Sequence, residues 1–158
     1  MPQGIKLFRQ KAVWEGKAIK KRVLVTGAAG RIGRVLREAL RDRYKLRLMY
    51  HKTPLTPVGD EEAVTGDVFI FDSLLEAIEG VNAVVHLAAE ASPRAPWERV
   101  LNANMIGTYN VFEAARQMGV KKIVFASSNH ITGFWEKESV YVRVELLRNP
   151  GGVGPKSA

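Results

Sequence analysis

The chain has 158 residues, is 46% hydrophobic, contains no Cys and carries a formal net charge of +8. That allows one ordinary core and excludes a disulfide framework, a Cys-based metal site, a membrane-spanning run and a secretory signal, so a cytoplasmic location is expected. The charge excess sits in residues 1–22, at +6, against +1 for residues 23–133 and +1 for the rest, which argues against a nucleic-acid partner for the body of the protein.

Residues 1–21 read as a basic N-terminal extension. A solvated leader, a phosphate-binding arm and an amphipathic docking segment using Ile5, Phe8 and Val13 are the open readings. From residue 22 short apolar runs alternate with turns and helical stretches. "RVLVTG" (22–27) predicts a first strand. "RIGRVLREALRD" (31–42) predicts a helix with Ile32, Val35, Leu36, Ala39 and Leu40 on one face. "KLRLMY" (45–50) is a second strand, and "HKTPLTPVGDE" (51–61), with two Pro and a Gly, is loop. "AVTGD" (63–67) is a short third strand. Ser73, with Glu76 three residues on, has the pattern of a capping box for a helix through Glu79. "NAVVHLA" (82–88) is the fourth strand, a long helix runs from about Trp97 to Met118, and "KKIVFAS" (121–127) is the fifth strand. Apolar strands separated by helices predict an α/β fold: a Rossmann-type, doubly wound parallel sheet with helices on both faces.

The first strand meets the first helix through "VTGAAGRIG", which reads Gly27-x-x-Gly30-x-x-Gly33. Glycines spaced in this way allow a tight turn, close backbone approach to a pyrophosphate, and close packing of helix on strand. Their context, after a strand and opening a helix, points to a dinucleotide. An acid about 20 residues on normally bonds the ribose hydroxyls of NAD. Here that place holds Tyr50, His51 and Lys52. Basic residues would tolerate a 2′-phosphate, so both NAD and NADP are expected cofactors. Alternatively, these are loop residues and the ribose is held elsewhere.

Four more motifs follow in order: "TGD" (65–67), "HLAA" (86–89), "NMIGTYN" (104–110) and "VFASS" (124–128). Together with the glycine turn they resemble the extended short-chain dehydrogenase/reductase family, the NAD-dependent epimerase/dehydratase group, over about residues 21–136. The resemblance implies that Arg31, Ile32, Asp67, Val68, Leu87, Ala88, Ala89 and Asn104 join the glycines at the cofactor, with Asp67 at the adenine. Within that group, "FASSNHITG" is similar to uronate dehydrogenases, which oxidise the anomeric carbon of a hexuronic acid and pass hydride to NAD. By that similarity Ser128 is the catalytic serine, Asn129 and His130 contact a sugar acid, and Ser92 is a further substrate contact. A self-satisfied polar turn is the plainer reading of residues 127–130.

The chain departs from the family in one respect that bears on chemistry. The family's base is a Tyr tuned by a Lys four residues later, and none of Tyr44, Tyr50, Tyr109 and Tyr141 is followed by Lys at that spacing. The resemblance fades after about Glu138. The expected organisation is a cofactor-binding domain over 22–138 and a divergent tail over 139–158, in a truncated or frame-shifted chain. Residues 139–147 alternate like an edge strand. Three readings follow: the cofactor-binding part of an oxidoreductase of uronate-dehydrogenase type, inactive as this chain; a non-catalytic dinucleotide-sensing module; or another sugar epimerase or dehydratase of the family. An incompletely covered sheet face near Ile123–Phe125 is expected to favour a homo-oligomer.

Overall fold

The computed structural model describes residues 20–128. Strands β1 (Arg22–Thr26), β2 (Lys45–Tyr50), β3 (Glu62–Thr65), β4 (Ala83–His86) and β5 (Ile123–Phe125) form one sheet in the order β3-β2-β1-β4-β5. β1 pairs in parallel with both β2 and β4, so Val25 lies beside Leu48 on one side and Val85 on the other, and β2 pairs in parallel with β3. The strand order reverses between β1 and β4, which is where sheets of this kind open a crevice beyond their carboxyl ends. The expected Rossmann-type fold is therefore present. The chain divides into two compact units, Met1–Val124 and Phe125–Ala158. Of the second, only residues 125–128 are described, and the expected edge strand at 139–147 lies outside the described residues.

Side chains alternate between the faces of a strand, and here both faces find cover. Leu24, Met49 and Val84 pack with Leu74, Ala77 and Ile78 of helix α2 (Phe71–Ile78) and with Val111, Ala114 and Ala115 of helix α4 (Gly107–Gln117). Their neighbours Val23, Val25, Leu46, Leu48 and Val85 face the other way, against Leu36 and Leu40 of helix α1 (Arg31–Leu40) and against Tyr44 and Leu55. This double cover is why the strands read as unbroken apolar runs.

Three local expectations are corrected. The inward face of α1 is not the full apolar stripe: Ile32 is 58% and Val35 68% exposed, while Gly33 is buried and Leu36 and Leu40 pack inward. Ser73 does not cap α2, which begins at Phe71 with Ile70 as its N-cap. Asp67 makes the turn by accepting the Phe69 amide, and the Ser73 hydroxyl, already inside the first turn, donates to the Asp67 and Ile70 carbonyls. The long helix is not uniform either. Between α3 (Trp97–Val100) and α4 it widens into a π-helical stretch, Leu101–Ile106, where the Gly107 amide reaches back five residues to the Asn102 carbonyl.

Charged side chains fix two edges. Glu62 of β3 meets Lys45 and Arg47 of β2, each at 2.7 Å, and Arg22 of β1 at 3.3 Å. Burial pushes the Glu62 carboxyl up, but the bonds from Lys45 and Arg47 outweigh it and hold it at about 2. Arg47 also donates to the Ala77 and Glu79 carbonyls, filling acceptors left open at the end of α2. On the far side of β2, the buried Glu61 side chain receives Arg37 of α1 in a fork, with contacts of 2.6–3.0 Å, and also the Val58 amide. Arg37 continues to the Thr56 carbonyl at 2.6 Å, so the 51–61 loop is tied onto α1. No helix among the described residues is long and apolar enough to cross a membrane.

Candidate cofactor-binding groove

β1 ends at Thr26, and the backbone turns at Gly27 with φ +67. A side chain at Gly27 would be strained by that φ, and its Cβ would lie 2.7 Å from the Ala88 amide nitrogen. The turn is closed by the Gly30 amide donating to the Gly27 carbonyl at 3.0 Å, and is held to the sheet by Ala28 donating to the Met49 carbonyl at 3.2 Å. Gly33 is needed for a different reason: its Cβ would sit 2.5 Å from the Ala28 carbonyl oxygen, so α1 presses directly on the turn. Gly30 is unlike both. Its φ of −72 suits any residue, and an added Cβ would meet only the Gly27 carbonyl oxygen, at 3.1 Å, with nothing else within 4 Å.

Above this turn lies a groove of about 360 Å³. Gly27, Ala29 and Gly30 line its floor, Tyr50, His51, Lys52 and Thr53 one side, Gly66, Asp67 and Val68 the next, and Leu87, Ala88 and Ala89 the other. Gly30 is the N-cap of α1 and no side chain caps it, so the first amides of the helix are left without a capping side chain. Free amides and the positive end of a helix dipole beneath an open groove suit a phosphate. The residues present thus fit a dinucleotide: a backbone floor for a pyrophosphate, with polar groups at one end for a ribose.

Of the residues expected at the cofactor, Gly27, Gly30, Tyr50, His51, Lys52, Asp67, Val68, Leu87, Ala88 and Ala89 line this one groove. Arg31, Ile32, Gly33 and Asn104 do not. Gly33 supports the turn from behind, Arg31 and Ile32 are exposed, and Asn104 clamps the Glu90 backbone by accepting from its amide at 2.7 Å and donating to its carbonyl at 3.0 Å. Ser92 sits in the exposed stretch after β4, its hydroxyl accepting the Arg94 amide and its own amide donating to Glu90. Ser128 is exposed beyond β5, while Asn129 and His130 lie outside the described residues.

Sequence reasoning missed several members. Thr26, Met49, Thr53, Gly66 and Ala103 also line the groove. A second cavity of about 340 Å³ shares His51, Lys52, Asp67, Ala89 and Ala103 with it and adds Phe69, Glu90, Arg99 and Asn102. Arg99 is ion-paired with Glu90. His51 Nε2 lies 3.4 Å from Asp67 Oδ2, so the segments that follow β2 and β3 approach each other inside the groove.

The fully buried His86 lies beneath. Its Nδ1 is 2.7 Å from Thr26 Oγ1 and its Nε2 is 3.2 Å from Thr108 Oγ1. Thr26 Oγ1 also accepts the Leu87 and Ala88 amides, so its hydroxyl hydrogen goes to His86 Nδ1. That makes His86 the neutral Nε2–H tautomer, donating to Thr108. Burial pushes its pKa down to about 4, in keeping with the neutral form. The signal was a polar residue ending an apolar strand, in "AVVH".

The model of the NAD dependent epimerase/dehydratase family matches residues 23–145. The chain belongs to this family. Among its curated relatives, uronate dehydrogenase of Pseudomonas syringae pv. tomato is 42% identical over 118 residues, covering 73% of this chain and 42% of the relative. L-arabinose 1-dehydrogenase (NAD(P)(+)) of Haloferax volcanii is 46% identical over 112 residues, covering 70% of this chain and 42% of the relative. The crystal structure of a mutant uronate dehydrogenase from Agrobacterium tumefaciens complexed with NAD superposes with a TM-score of 0.64 at 46% identity, covering 70% of this chain and 42% of that one. The chain spans less than half the length of these members of the epimerase/dehydratase family.

Proposed function

We propose that this domain binds NAD or NADP in the groove above Gly27–Gly30, as the cofactor-binding part of an oxidoreductase of uronate-dehydrogenase type. The observation that carries this is the uncapped start of α1 beneath the groove, at a glycine the fold itself does not require. The amides at the start of α1 bind the pyrophosphate, and the groups at the ends of β2 and β3 hold the adenosine half. A bound nicotinamide supplies the hydride acceptor. Ser128 would polarise the sugar hydroxyl, with Asn129, His130 and Ser92 holding a hexuronic acid. The relatives' names, among them uronate dehydrogenase, glucose-6-phosphate dehydrogenase and L-arabinose 1-dehydrogenase, support a sugar or sugar-acid substrate and leave the particular one open.

Nothing in these 158 residues supplies the expected base, because no Tyr is followed by Lys four residues later. General-base catalysis is worth about 10²–10⁴-fold. The chain by itself is therefore expected to bind cofactor without turning over galacturonate or glucuronate. The same absence favours a second reading, a non-catalytic dinucleotide-binding module. Calorimetry with NAD and NADP, followed by an absorbance assay with either uronate, tests both. Absence of heat with both dinucleotides refutes the cofactor assignment, and enzyme-like reduction of NAD refutes the inactivity.

A further inference from the structure

We infer that His86 is a positioning residue for the cofactor: through the Thr26 hydroxyl it fixes the Leu87–Ala89 wall of the groove, a reading that rests on the groove being the dinucleotide site. A hydroxyl has one hydrogen to give and two lone pairs with which to accept. Thr26, at the end of β1, uses all three. Its hydrogen goes to His86 Nδ1 at 2.7 Å, and its oxygen accepts the Leu87 amide at 3.2 Å and the Ala88 amide at 3.3 Å. Nδ1 is free to accept because the ring hydrogen sits on Nε2, 3.2 Å from Thr108 Oγ1 of α4. Burial keeps the ring neutral, so Nδ1 retains its lone pair. One chain of contacts therefore runs from α4 through β4 to β1, and back to the backbone that follows β4.

That chain ends at the groove, where Leu87 and Ala88 form one side. The Leu87 amide also reaches the Thr26 carbonyl, at 3.2 Å, whereas the Ala88 amide has only the hydroxyl among the described residues. The clearance there is small. A Cβ on Gly27 would come within 2.7 Å of the Ala88 nitrogen, so the glycine turn and the wall meet backbone to backbone. A shift of Ala88 therefore changes the width of the groove directly over the turn. With no acceptor at the Nδ1 position, the Thr26 hydrogen turns elsewhere and a lone pair is lost to the two amides. His86 is fully buried and does not line the groove, so it acts on a dinucleotide only through Thr26.

Two substitutions one methylene apart separate positioning from mere support. In His86→Asn the amide oxygen takes the place of Nδ1 and still accepts from Thr26, while the contact with Thr108 is lost. In His86→Gln the amide takes the place of Nε2, reaches Thr108 and leaves the Thr26 hydroxyl without its acceptor. Both remove ring volume, so both should lower Tm. Calorimetric titration of the full chain with NAD, well below either Tm, should give His86→Asn a Kd within about twofold of the parent's and His86→Gln a Kd raised about fivefold, the effect of one misplaced hydrogen bond. In a Thr26→Val background the two substitutions should give the same Kd, because the group they act through is gone. Equal Kd values for the two single variants, or weaker binding by His86→Asn, would remove His86 from this role even though dinucleotide binding stands. If a variant does not fold, the ¹⁵N spectrum of the parent's ring decides: Nδ1 should be the unprotonated nitrogen, and a protonated Nδ1 overturns the inference. If the parent does not bind NAD, the groove assignment fails and takes this inference with it.

Discussion

Two glycines three residues apart in the same turn should respond to the same substitution in opposite ways. At Gly33, an alanine Cβ would lie 2.5 Å from the Ala28 carbonyl oxygen and 2.7 Å from its Cα. The obstacle is backbone, and it cannot retreat freely because the Ala28 amide is bonded to Met49. Either α1 lifts or that bond is lost. Overpacking costs about 1–3 kcal/mol and a lost hydrogen bond about 1 kcal/mol. Gly33→Ala should therefore lower stability by about 2–4 kcal/mol, or roughly 8–16 °C in Tm for a domain of this size. At Gly30 the same methyl meets one oxygen at 3.1 Å and otherwise enters the groove. Losing the N-cap glycine costs up to about 1 kcal/mol, so Gly30→Ala should keep most of its Tm while its affinity for NAD falls at least about tenfold, a loss of about 1.4 kcal/mol. Thermal unfolding and calorimetry on both variants decide it. An unchanged Tm for Gly33→Ala, or a Gly30→Ala protein that binds NAD as well as the parent, would refute the division of labour.

Glu61→Gln leaves Arg37 partly buried without its counter-charge and should cost about 2–3 kcal/mol in urea unfolding; the part of the stability owed to this carboxylate is present above its ordinary pKa and fades as pH falls through the value that Arg37 depresses. His86 prefers to be neutral in the folded chain, so the unfolded chain takes up the proton first and stability drains as pH falls from about 6.5 towards about 4. The gap is about 3 kcal/mol, and the stability difference between the parent and His86→Gln should narrow by that order between pH 7.5 and 4.5; a constant difference would contradict it. Lys52→Glu should weaken NADP more than NAD at pH 7 in a binding titration, whereas equal effects would remove Lys52 from the ribose end.

Most of the sheet was legible because strands covered on both faces must be apolar throughout, and the turns between them carried Gly and Pro. The glycine turn was legible because backbone geometry restricts which residue fits at Gly27 and Gly33. What escaped depended on contacts between distant residues. Nothing local marks Glu61 as buried; its partner is 24 residues away on α1. The apolar residues Ile32 and Val35 suggested a wider buried stripe than exists, because α1 turns Gly33, Leu36 and Leu40 to the sheet and leaves those two on its outer side. Ser73 matched a capping pattern, yet Asp67 had already set the turn. In the groove, counting from the glycines reached Tyr50, His51 and Lys52, but the approach of Asp67 to His51 brings together segments after two different strands, and no spacing rule anticipates it.

The π-helical stretch at Leu101–Ile106 carries a consequence for how this helix can vary. One residue more than an α-turn holds is stored there, so α3 and α4 are out of phase by about 100°. On the α4 side Asn110, Val111 and Ala114 are committed to the core, and Asn110 is bonded to the Val68 and Phe69 carbonyls. Asn104, within the wide turn, looks instead toward Glu90. The joint therefore separates a fixed half from an adjustable one. Removing Ala103 should let the stretch relax to an ordinary α-helix, swing Trp97–Val100 round by that angle and release Glu90, while α4 stays seated. The wall of the second cavity could in this way change by single residues without a repacked core, a place where length can drift while the groove floor stays the same.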